Sequence, residues 1–496
     1  MDTTDDPTRV PSGTEGTRVV LDGATLDVRT LARLADGTAR PVVAPEALER
    51  AHRSWRAAQR LAVSGRLYGR GTGVGAQRSV SVAAHDEADH GLRLLRSHAG
   101  GAGEPLPARQ VRAMLAVRAN QLLAGGSGIH PAFVEALTEA LRLGVHPAVH
   151  EYGGVGTGDL TALAQTGLTL IGERPWLGDT TRGLPAPVTP RPGDALALLS
   201  SNALALGQAA TAGHDMDVLL RATHAVGALS LAAASGSLEA YAAPVHALRP
   251  YPGAAHAAAE VRRLLGEPGT PYPTTRRIQD PYGFRAFPQV HGCALDAADA
   301  LRRVVEVEIN CPSENPLIAP DGTAAYHHGG FFAAPLGLAL DALNLAVLKT
   351  AQLSAARLSA LLRADLTGLP AFLATGPAGS SGVMILEYPA NSALAELRSC
   401  AAPASAGHTV VSLGLEEAAS FAGQAARQTL RATAAYATVL ACELVTAVRA
   451  LRMHDTPPPV PAFTVAAEAL QPSTVDRELT PDVATAVELL PVLARL

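Results

Sequence analysis

The sequence predicts a mainly α protein built as a bundle of long helices. Residues 336–363 place isolated polar side chains among leucines and alanines at helical intervals, and residues 409–453 have the same character without a proline. Strong strand signals are few. Apolar residues make up 48% of the chain and are largely Ala and Leu, whereas aromatic residues make up 4%. Small side chains let helices approach closely, so a bundle shared between subunits is the expected packing.

Three regions are expected along the chain. Residues 1–17 are acidic and polar, do not resemble a secretory signal, and are predicted to form a disordered leader. Residues 18–205 form an N-terminal region with glycine-rich loops, and residues 206–496 form the central helical bundle and the C-terminal helices. Pro- and Gly-rich stretches at 183–193 and 267–273 predict breaks between helices.

The composition argues against several functional classes. The formal charge is −5 with no basic block, which disfavours a nucleic-acid surface, and no unbroken apolar run approaches the roughly 18 residues of a membrane span. Lys349 is the only lysine, so the chain lacks a Gly-Lys-Ser/Thr phosphate loop. Neither His327-His328 nor the scattered cysteines have the spacing of metal ligands, and no metal is expected. Reduced thiols in a cytoplasmic protein are the expected state of the cysteines.

Several motifs follow one another in a fixed order. Residues 67–75 read Leu-Tyr-Gly-Arg-Gly-Thr-Gly-Val-Gly, residues 151–160 read Glu-Tyr-Gly-Gly-Val-Gly-Thr-Gly-Asp-Leu, and residues 279–285 read Gln-Asp-Pro-Tyr-Gly-Phe-Arg. Shorter motifs lie at 97–100, 125–128, 314–317, 380–384 and 442–444. In this order they resemble the histidine and phenylalanine ammonia-lyases, most closely histidine ammonia-lyase. The resemblance implies the long-helix bundle of the aromatic amino acid ammonia-lyases, a homotetramer and a small-molecule substrate.

The resemblance also implies roles for matching residues. Tyr68 matches the catalytic base, which requires neighbours that lower its usual pKa of about 10. Arg285 matches the arginine that binds the substrate carboxylate, a task that suits a planar guanidinium. Glu416 matches a position that favours histidine-type substrates and is a candidate acid or base. The full set is Tyr68, Tyr282 and Glu416 as catalytic groups, with His98, Gln279, Arg285 and Phe331 as substrate-binding groups.

The loop at 156–158 departs from the family pattern. In the family an Ala-Ser-Gly tripeptide cyclises and loses two waters to give the electrophile 4-methylidene-imidazol-5-one, whereas this chain has Gly156, Thr157 and Gly158. The β-branch of threonine restricts χ1 where the loop must compress, and glycine loosens the loop further. Ser200-Ser201-Asn202 replaces the family's Asn-Gly-Thr, whose asparagine bonds the prosthetic group. We therefore expect the group to be absent and the chain to use no cofactor.

Three functional hypotheses follow. In the first, the chain is a divergent enzyme of bacterial specialised metabolism that lacks the prosthetic group, and Tyr68 removes a proton in an elimination or a ring-closing addition. In the second, it is an ammonia-lyase for histidine or a related amino acid, with an electrophile derived from Thr157. In the third, it is a non-catalytic binding or structural homologue. An open or a closed peptide at residues 156–158 separates the first hypothesis from the second.

Overall fold

The computed structural model describes residues 17–64, 67–266, 277–455 and 460–496. The predicted leader lies outside these residues except for Thr17, which begins the first strand. The strands are β1 Thr17–Leu21, β2 Ala39–Val43, β3 Ala102–Pro105, β4 Val145–Pro147, β5 His150–Tyr152, β6 Trp176–Gly178, β7 Leu317–Ile318 and β8 Ala325–Tyr326. The helices are α1 Val28–Asp36, α2 Pro45–Ser64, α3 Glu87–His98, α4 Ala108–Ala124, α5 Ala132–Leu143, α6 Leu160–Leu170, α7 Asp194–Leu199, α8 Ala203–Ala233, α9 Ala243–Ala247, α10 Pro252–Leu264, α11 Tyr282–Arg285, α12 Phe287–Glu308, α13 Ala334–Leu361, α14 Ala364–Thr367, α15 Glu387–Cys400, α16 Ala422–Met453, α17 Pro461–Ala469 and α18 Thr480–Leu493.

The chain divides into two compact units. Unit 1 contains the described part of Met1–Gly153 together with Leu160–Gly207 and Ile309–Gly330. Unit 2 contains the described parts of Gly154–Asp159, Gln208–Glu308 and Phe331–Leu496. The main division lies two residues from the predicted boundary after residue 205. Two segments depart from this division: Gly154–Asp159 belongs to unit 2, and Ile309–Gly330 belongs to unit 1. A single boundary along the sequence therefore does not separate the two units.

Unit 1 combines helices with short two-stranded ladders. β1 and β2 pair in parallel from Thr17 and Ala39, and the other ladders are antiparallel pairs of β3 with β5, β4 with β6, and β7 with β8. Helix α1 begins after Asp27, whose Oδ1 accepts the Thr30 N–H at 2.6 Å, and ends at Gly37 in the left-handed region. It packs on α4, which is buried around most of its circumference. The mainly α architecture predicted from the sequence is therefore confirmed.

Unit 2 is organised around α13 and α16. Helix α13 packs against α12 and α16, α15 covers α16, and α10 covers α12. The bounds of α13 match the predicted helix at 336–363 to within two residues at each end. Because so much of both helices is buried, their polar side chains need partners inside the protein.

A buried ion pair joins these two helices. Arg357 Nε and Nη2 donate to the two carboxylate oxygens of Glu443 at 2.6 and 2.8 Å. The Ser230 and Ser354 hydroxyls donate to the same carboxylate at 2.6 and 2.5 Å. Arg357 and Glu443 are 1% and 0% exposed, so each charge depends on the other for the interactions it has lost with water.

The predicted helix at 409–453 begins only at Ala422, and residues 409–421 form a loop instead. Ser412, Leu413, Gly414 and Phe421 all have positive φ, which an α-helix does not allow. Glu416 forms a short antiparallel bridge with Val411. Glu416 is consequently a loop residue rather than part of a solvated helix face, because three successive left-handed residues end any helical periodicity before Ala422.

A cluster of histidines occupies the region between α8, α10 and α12. The rings of His224 and His291 pack edge to face with centroids 4.8 Å apart, and His256 packs against His224 at 5.5 Å. His291 bonds the Thr350 hydroxyl and the Leu220 carbonyl at 3.0 and 3.1 Å. Burial, and secondarily the neighbouring His256, lowers the pKa of His224 to about 4. Burial also lowers the pKa of His291, so both buried rings favour the neutral form at physiological pH.

Among the described residues, three helical stretches have the length and apolar composition to cross a membrane. They are Asp194–Ala233, which joins α7 and α8, and the helices Ala334–Leu361 and Ala422–Met453. The protein itself buries 89%, 56% and 83% of their most apolar windows, respectively. α13 is the least covered of the three, with Leu338 and Leu345 exposed along one face. Lys349 lies on the same face, one helical turn beyond Leu345, and donates to Gln352 at 2.9 Å. We call these three residues the outer stripe of α13.

Candidate active site

Tyr68 lies in a glycine-rich loop of unit 1. The loop closes through the Arg70 N–H donating to the Leu67 carbonyl at 2.8 Å and the Gly73 N–H donating to the Val80 carbonyl at 2.9 Å. Gly69 has φ +73°, and a Cβ at that position would overlap the Leu196 side chain. The Gly75 N–H donates to the Tyr68 phenol oxygen at 2.6 Å. This folded-back loop therefore fixes the position of the Tyr68 hydroxyl, which is only partly exposed.

His327 contacts the same loop and was not assigned a role from the sequence. Its Nε2 accepts the Tyr68 backbone N–H at 3.3 Å. The neighbouring His328 accepts the Gly330 N–H on Nδ1 at 2.8 Å, so its Nε2–H donates to the Glu314 carbonyl at 2.7 Å. Both rings thus have hydrogen-bond partners within the protein. Within the described ranges, no group of three His, Cys, Asp or Glu side chains is placed to hold a metal ion.

Tyr68 lines a small cleft, and Glu314 and Asn315 line the same cleft. Glu314 is 1% exposed and accepts from Arg118 Nη1 at 2.8 Å. Burial raises the pKa of Glu314, although the guanidinium of Arg118 opposes the shift. Arg118 also donates from Nε to the Leu198 carbonyl at 3.1 Å, so this pair holds the wall of the cleft in place.

A second buried acid lies near this cleft. Asp194 accepts the backbone N–H groups of His130 and Arg191 at 2.9 and 2.8 Å. Burial raises the pKa of Asp194 to about 6, against the opposing effect of those bonds and of Arg70. Arg70 lines the cleft and donates to the Gly128 carbonyl at 3.0 Å. No sequence motif indicated Asp194, because one of its two backbone partners, His130, lies 64 positions away.

The altered tripeptide belongs to unit 2 and lies against the start of α16. Gly156 and Gly158 have φ of +87° and +117°, so the backbone turns sharply on both sides of Thr157. The Ser420 hydroxyl donates to the Gly156 carbonyl at 2.8 Å. The Phe421 N–H donates to the Val155 carbonyl at 2.9 Å. The turn is therefore attached to the chain just before α16 by two hydrogen bonds.

Arg285 and Tyr282 lie at the two ends of the short helix α11. The guanidinium carbon of Arg285 lies 4.1 Å from the centroid of the Tyr282 ring, which is 67% exposed. Arg285 Nε has no hydrogen-bond partner among the described residues and is shielded from solvent. Gln279 precedes this helix and is exposed. The arrangement orients a cation whose donors are not all satisfied by the protein.

The remaining expected site residues are placed as follows. His98 is the last residue of α3, is half-buried, and bonds the Leu94 carbonyl through Nδ1 at 3.0 Å. It does not line the cleft that contains Tyr68. In unit 2, Glu416 and Phe331 are half-buried. Glu416 is held through its backbone, because the Val411 N–H donates to its carbonyl at 2.9 Å.

The sequence is similar to a family model and to named proteins over most of its length. The family model described as aromatic amino acid lyase matches residues 26–471. The histidine ammonia-lyase of Symbiobacterium thermophilum is 35% identical over 484 residues, which cover 94% of this chain and 96% of that protein. The Bacillus subtilis enzyme of the same name is 31% identical over 446 residues, which cover 87% and 88%.

Solved structures give the same result. Tyrosine aminomutase from Streptomyces globisporus matches with a TM-score of 0.89 and 26% identity, covering 96% of this chain and 97% of that one. Histidine ammonia-lyase from Trypanosoma cruzi matches with a TM-score of 0.87 and 27% identity, covering 96% and 93%. These similarities extend over nearly the whole chain, so they apply to both units.

The prediction that the chain uses no methylidene-imidazolone group is wrong. The family that matches residues 26–471 uses this group, and histidine ammonia-lyase and tyrosine aminomutase are among its members. The local geometry also fits such a group. Thr157 carries a hydroxyl that can leave as water, and the glycines on either side adopt left-handed conformations. Glycine suits position 156 better than alanine, because a Cβ there would overlap Ser420 Oγ and lie 2.8 Å from the Phe421 nitrogen.

Proposed function

The chain belongs to the aromatic amino acid lyase family, and from this premise we propose that it eliminates ammonia from a small amino acid. In this proposal Tyr68 is the base, Arg285 binds the substrate carboxylate, and residues 156–158 supply the electrophile. The observation that carries the proposal is the hydrogen bond from the Gly75 N–H to the Tyr68 phenol oxygen at 2.6 Å.

A donor on the phenol oxygen supports the role of base. The Gly75 N–H holds the phenol oxygen at a fixed position as an acceptor, and a general base has to be positioned in this way before it can take a proton. The glycine-rich loop and the hydrogen bond from the Tyr68 backbone N–H to His327 hold the backbone of this residue in position. Tyr68 would accept a proton from the carbon next to the one that loses ammonia.

Arg285 supports recognition of a carboxylate. Its guanidinium is oriented by the Tyr282 ring, and Nε has no hydrogen-bond partner within the described ranges. A carboxylate can accept two parallel hydrogen bonds from such a group, which fixes the orientation of the substrate as well as binding it. We propose that Gln279, Tyr282 and Phe331 complete this side of the site.

Gly156, Thr157 and Gly158 would hold the prosthetic group, with Thr157 in place of the family's serine. When formed, the group supplies an electrophilic carbon that withdraws electrons from the amino group of the substrate. The extra methyl of Thr157 makes that carbon more hindered than its serine-derived counterpart. The protein itself contributes the sharp turn on both sides of Thr157 and the hydrogen bonds from the chain before α16.

Histidine or a related amino acid is the proposed substrate class. His98 and Glu416 occupy the positions that the family resemblance links to imidazole-bearing substrates, and a carboxylate can bind an imidazolium. The relatives at 35% and 31% identity bear the name histidine ammonia-lyase, which supports this choice. We propose a homotetramer in the cytoplasm. The exposure of Leu413, Tyr282 and Val410, at 96%, 67% and 57%, supports an assembly that covers them.

A second candidate is amino-group migration rather than release. The similarity to tyrosine aminomutase, with a TM-score of 0.89, favours it. The same base and carboxylate-binding arginine would serve, and the product would be a β-amino acid. A ring-closing addition catalysed by Tyr68 also remains a prediction, and its product would have the same mass as the substrate.

The experiment is to incubate purified protein with histidine, phenylalanine and tyrosine, and to follow ammonium and organic products by mass spectrometry. Ammonium with an unsaturated acid supports the lyase, and a β-amino acid supports the aminomutase. The Tyr68→Phe variant separates the lyase and the aminomutase from a non-catalytic protein. A non-catalytic protein would give no product with either the wild type or the variant. The intact mass tests the electrophile: a deficit of two waters supports it, and the encoded mass contradicts it.

A further inference from the structure

We propose that Ser420 is a positioning residue for the self-cyclisation of residues 156–158. The inference rests on the proposed function, in which that tripeptide forms the electrophile. It begins from one contact: the Ser420 hydroxyl donates to the Gly156 carbonyl oxygen at 2.8 Å, and Ser420 is 3% exposed. Among the atoms of the tripeptide, this oxygen is the one on which ring closure places negative charge.

The covalent step determines which carbonyl matters. A five-membered ring across Thr157 closes only if the Gly158 nitrogen attacks the Gly156 carbonyl carbon. The new bond moves the carbonyl electron pair onto the Gly156 oxygen, and the Gly158 amide proton then passes to that oxygen. The resulting hydroxyl leaves as the first water together with the Thr157 amide hydrogen. The Thr157 hydroxyl and its α-hydrogen leave as the second water, so no oxidant or other reactant is needed.

A fixed hydroxyl donor promotes this attack. It polarises the ground-state carbonyl and stabilises the oxygen as negative charge develops, and a buried preorganised donor acts more strongly than water. The Ser420 oxygen itself accepts the Ala422 N–H at 3.4 Å, at the first turn of α16. The positive end of this 32-residue helix therefore lies beside the donor, which favours the developing negative charge.

The backbone around Ser420 is strained in a way that serves this contact. Phe421 has φ +51°, a left-handed conformation that is unfavourable for a non-glycine residue. In that conformation its N–H donates to the Val155 carbonyl at 2.9 Å. The strained residue thus holds the peptide before Gly156 while the preceding serine holds the Gly156 oxygen. Two consecutive carbonyls, those of Val155 and Gly156, therefore accept hydrogen bonds from the consecutive residues Phe421 and Ser420.

The glycine at position 156 agrees with this role. A Cβ there would overlap Ser420 Oγ and lie 3.1 Å from the Ala422 nitrogen. Alanine would therefore displace the hydroxyl from the carbonyl or force the turn away from α16. Gly156 lets the donor approach, which partly compensates for the hindrance that Thr157 introduces.

The test measures the intact mass of the purified full-length chain over time, with peptide mapping across residues 154–160. We expect the wild type and Ser399→Ala, an exposed serine on α15, to lack the mass of two waters. We expect Ser420→Ala to retain the encoded mass, because loss of one oxyanion donor slows such a step by about 10²–10³-fold. Ser420→Cys, a weak donor of similar size, should show an intermediate rate. Circular dichroism of each variant checks that it folds.

Each outcome has a distinct meaning. A wild type with the encoded mass contradicts the electrophile of the proposed function and this inference with it. A wild type that has lost two waters, alongside Ser420→Ala that loses them at the same rate, overturns this inference alone. If Ser420→Ala does not fold, the folded Ser420→Cys variant decides: a wild-type rate overturns the inference, and a slower one supports it.

Discussion

The Arg285 guanidinium stacks on the Tyr282 ring, with its central carbon 4.1 Å from the ring centroid. A cation–π contact at an exposed ring contributes about 0.5–1 kcal/mol, enough to orient a long side chain but not to satisfy its donors. The two residues are three apart on one helical turn, so the stack is local and independent of distant packing. It directs a planar cation whose Nε is shielded from solvent and has no hydrogen-bond partner among the described residues.

Replacement of Arg285 by lysine should weaken substrate binding. Lysine retains the charge but loses the planar pair of donors, and a hydrogen bond to a charged group contributes about 1.5–3 kcal/mol. We expect kcat/KM to fall about 10- to 100-fold, mainly through KM. Arg302→Lys, on the surface of α12, is the control and should leave both constants unchanged. An unchanged KM in Arg285→Lys would contradict the carboxylate role.

Tyr68→Phe should abolish most of the activity without affecting the fold. Removal of a general base lowers the rate by about 10²–10⁴-fold. The loop around residue 68 closes through backbone bonds that do not involve the phenol, so circular dichroism and the thermal midpoint should change little. The measurement is the steady-state kcat of Tyr68→Phe. The control is Tyr326→Phe, which changes an exposed tyrosine of β8. Retention of more than a tenth of the wild-type kcat would assign proton removal to another group.

Glu443→Ala should destabilise unit 2 strongly. Removal of one partner from a buried ion pair leaves the other charge unpaired and costs about 3–5 kcal/mol. The change also leaves the Ser230 and Ser354 hydroxyls without their acceptor. Urea denaturation should show the loss, whereas Asp365→Ala, which breaks an exposed pair with Arg363, should cost less than about 1 kcal/mol. Equal losses in the two variants would show that burial of the Glu443 pair has no effect on stability.

The histidine cluster predicts acid sensitivity. The ordinary histidine pKa is 6.5, and burial, with His256 as a smaller cause, lowers that of His224 to about 4. Between these values the unfolded chain binds a proton that the folded chain does not. Stability is therefore greatest above pH 6.5 and decreases as the pH falls towards 4, by an amount on the order of 2–3 kcal/mol.

His224→Gln removes this titration, so its free energy of unfolding should depend less on pH between 6.5 and about 4, the interval set by the two pKa values. Some dependence should remain, because the buried His291 also has a lowered pKa. The exposed His408 provides a matched control, since His408→Gln should keep the wild-type slope. Parallel pH profiles for His224→Gln and the wild type would exclude His224 as the cause.

Local patterns predicted the long helices, and long-range contacts explain what they missed. The spacing of apolar residues predicted α13 correctly, because the buried residues of this helix recur at helical intervals along it. The same spacing extended α16 too far, since the left-handed residues Leu413 and Phe421 are not recognisable from side-chain type. Ser420 and Gly156 are 264 residues apart, so no local pattern indicates their contact.

Among the site residues, too, local motifs could be recognised in the sequence, whereas contacts between distant residues could not. The Tyr68 loop was recognisable because residues 67–75 resemble a glycine-rich motif of the ammonia-lyases. The Arg118–Glu314 pair was not, although residues 314–317 form a recognisable motif, because the partners are separated by 196 positions. His327 was considered only as a metal ligand, and its ring instead accepts an N–H from the Tyr68 loop.

The outer stripe of α13 offers a means of labelling the protein. Lys349 is the sole lysine and its side chain is exposed, so an amine-reactive dye at high pH would attach to one side chain of the sequence. The reagent would report on the surroundings of Leu338 and Leu345. If copies of the chain bury this stripe against one another, Lys349 should react slowly with the dye in the assembled protein and rapidly after dissociation by urea.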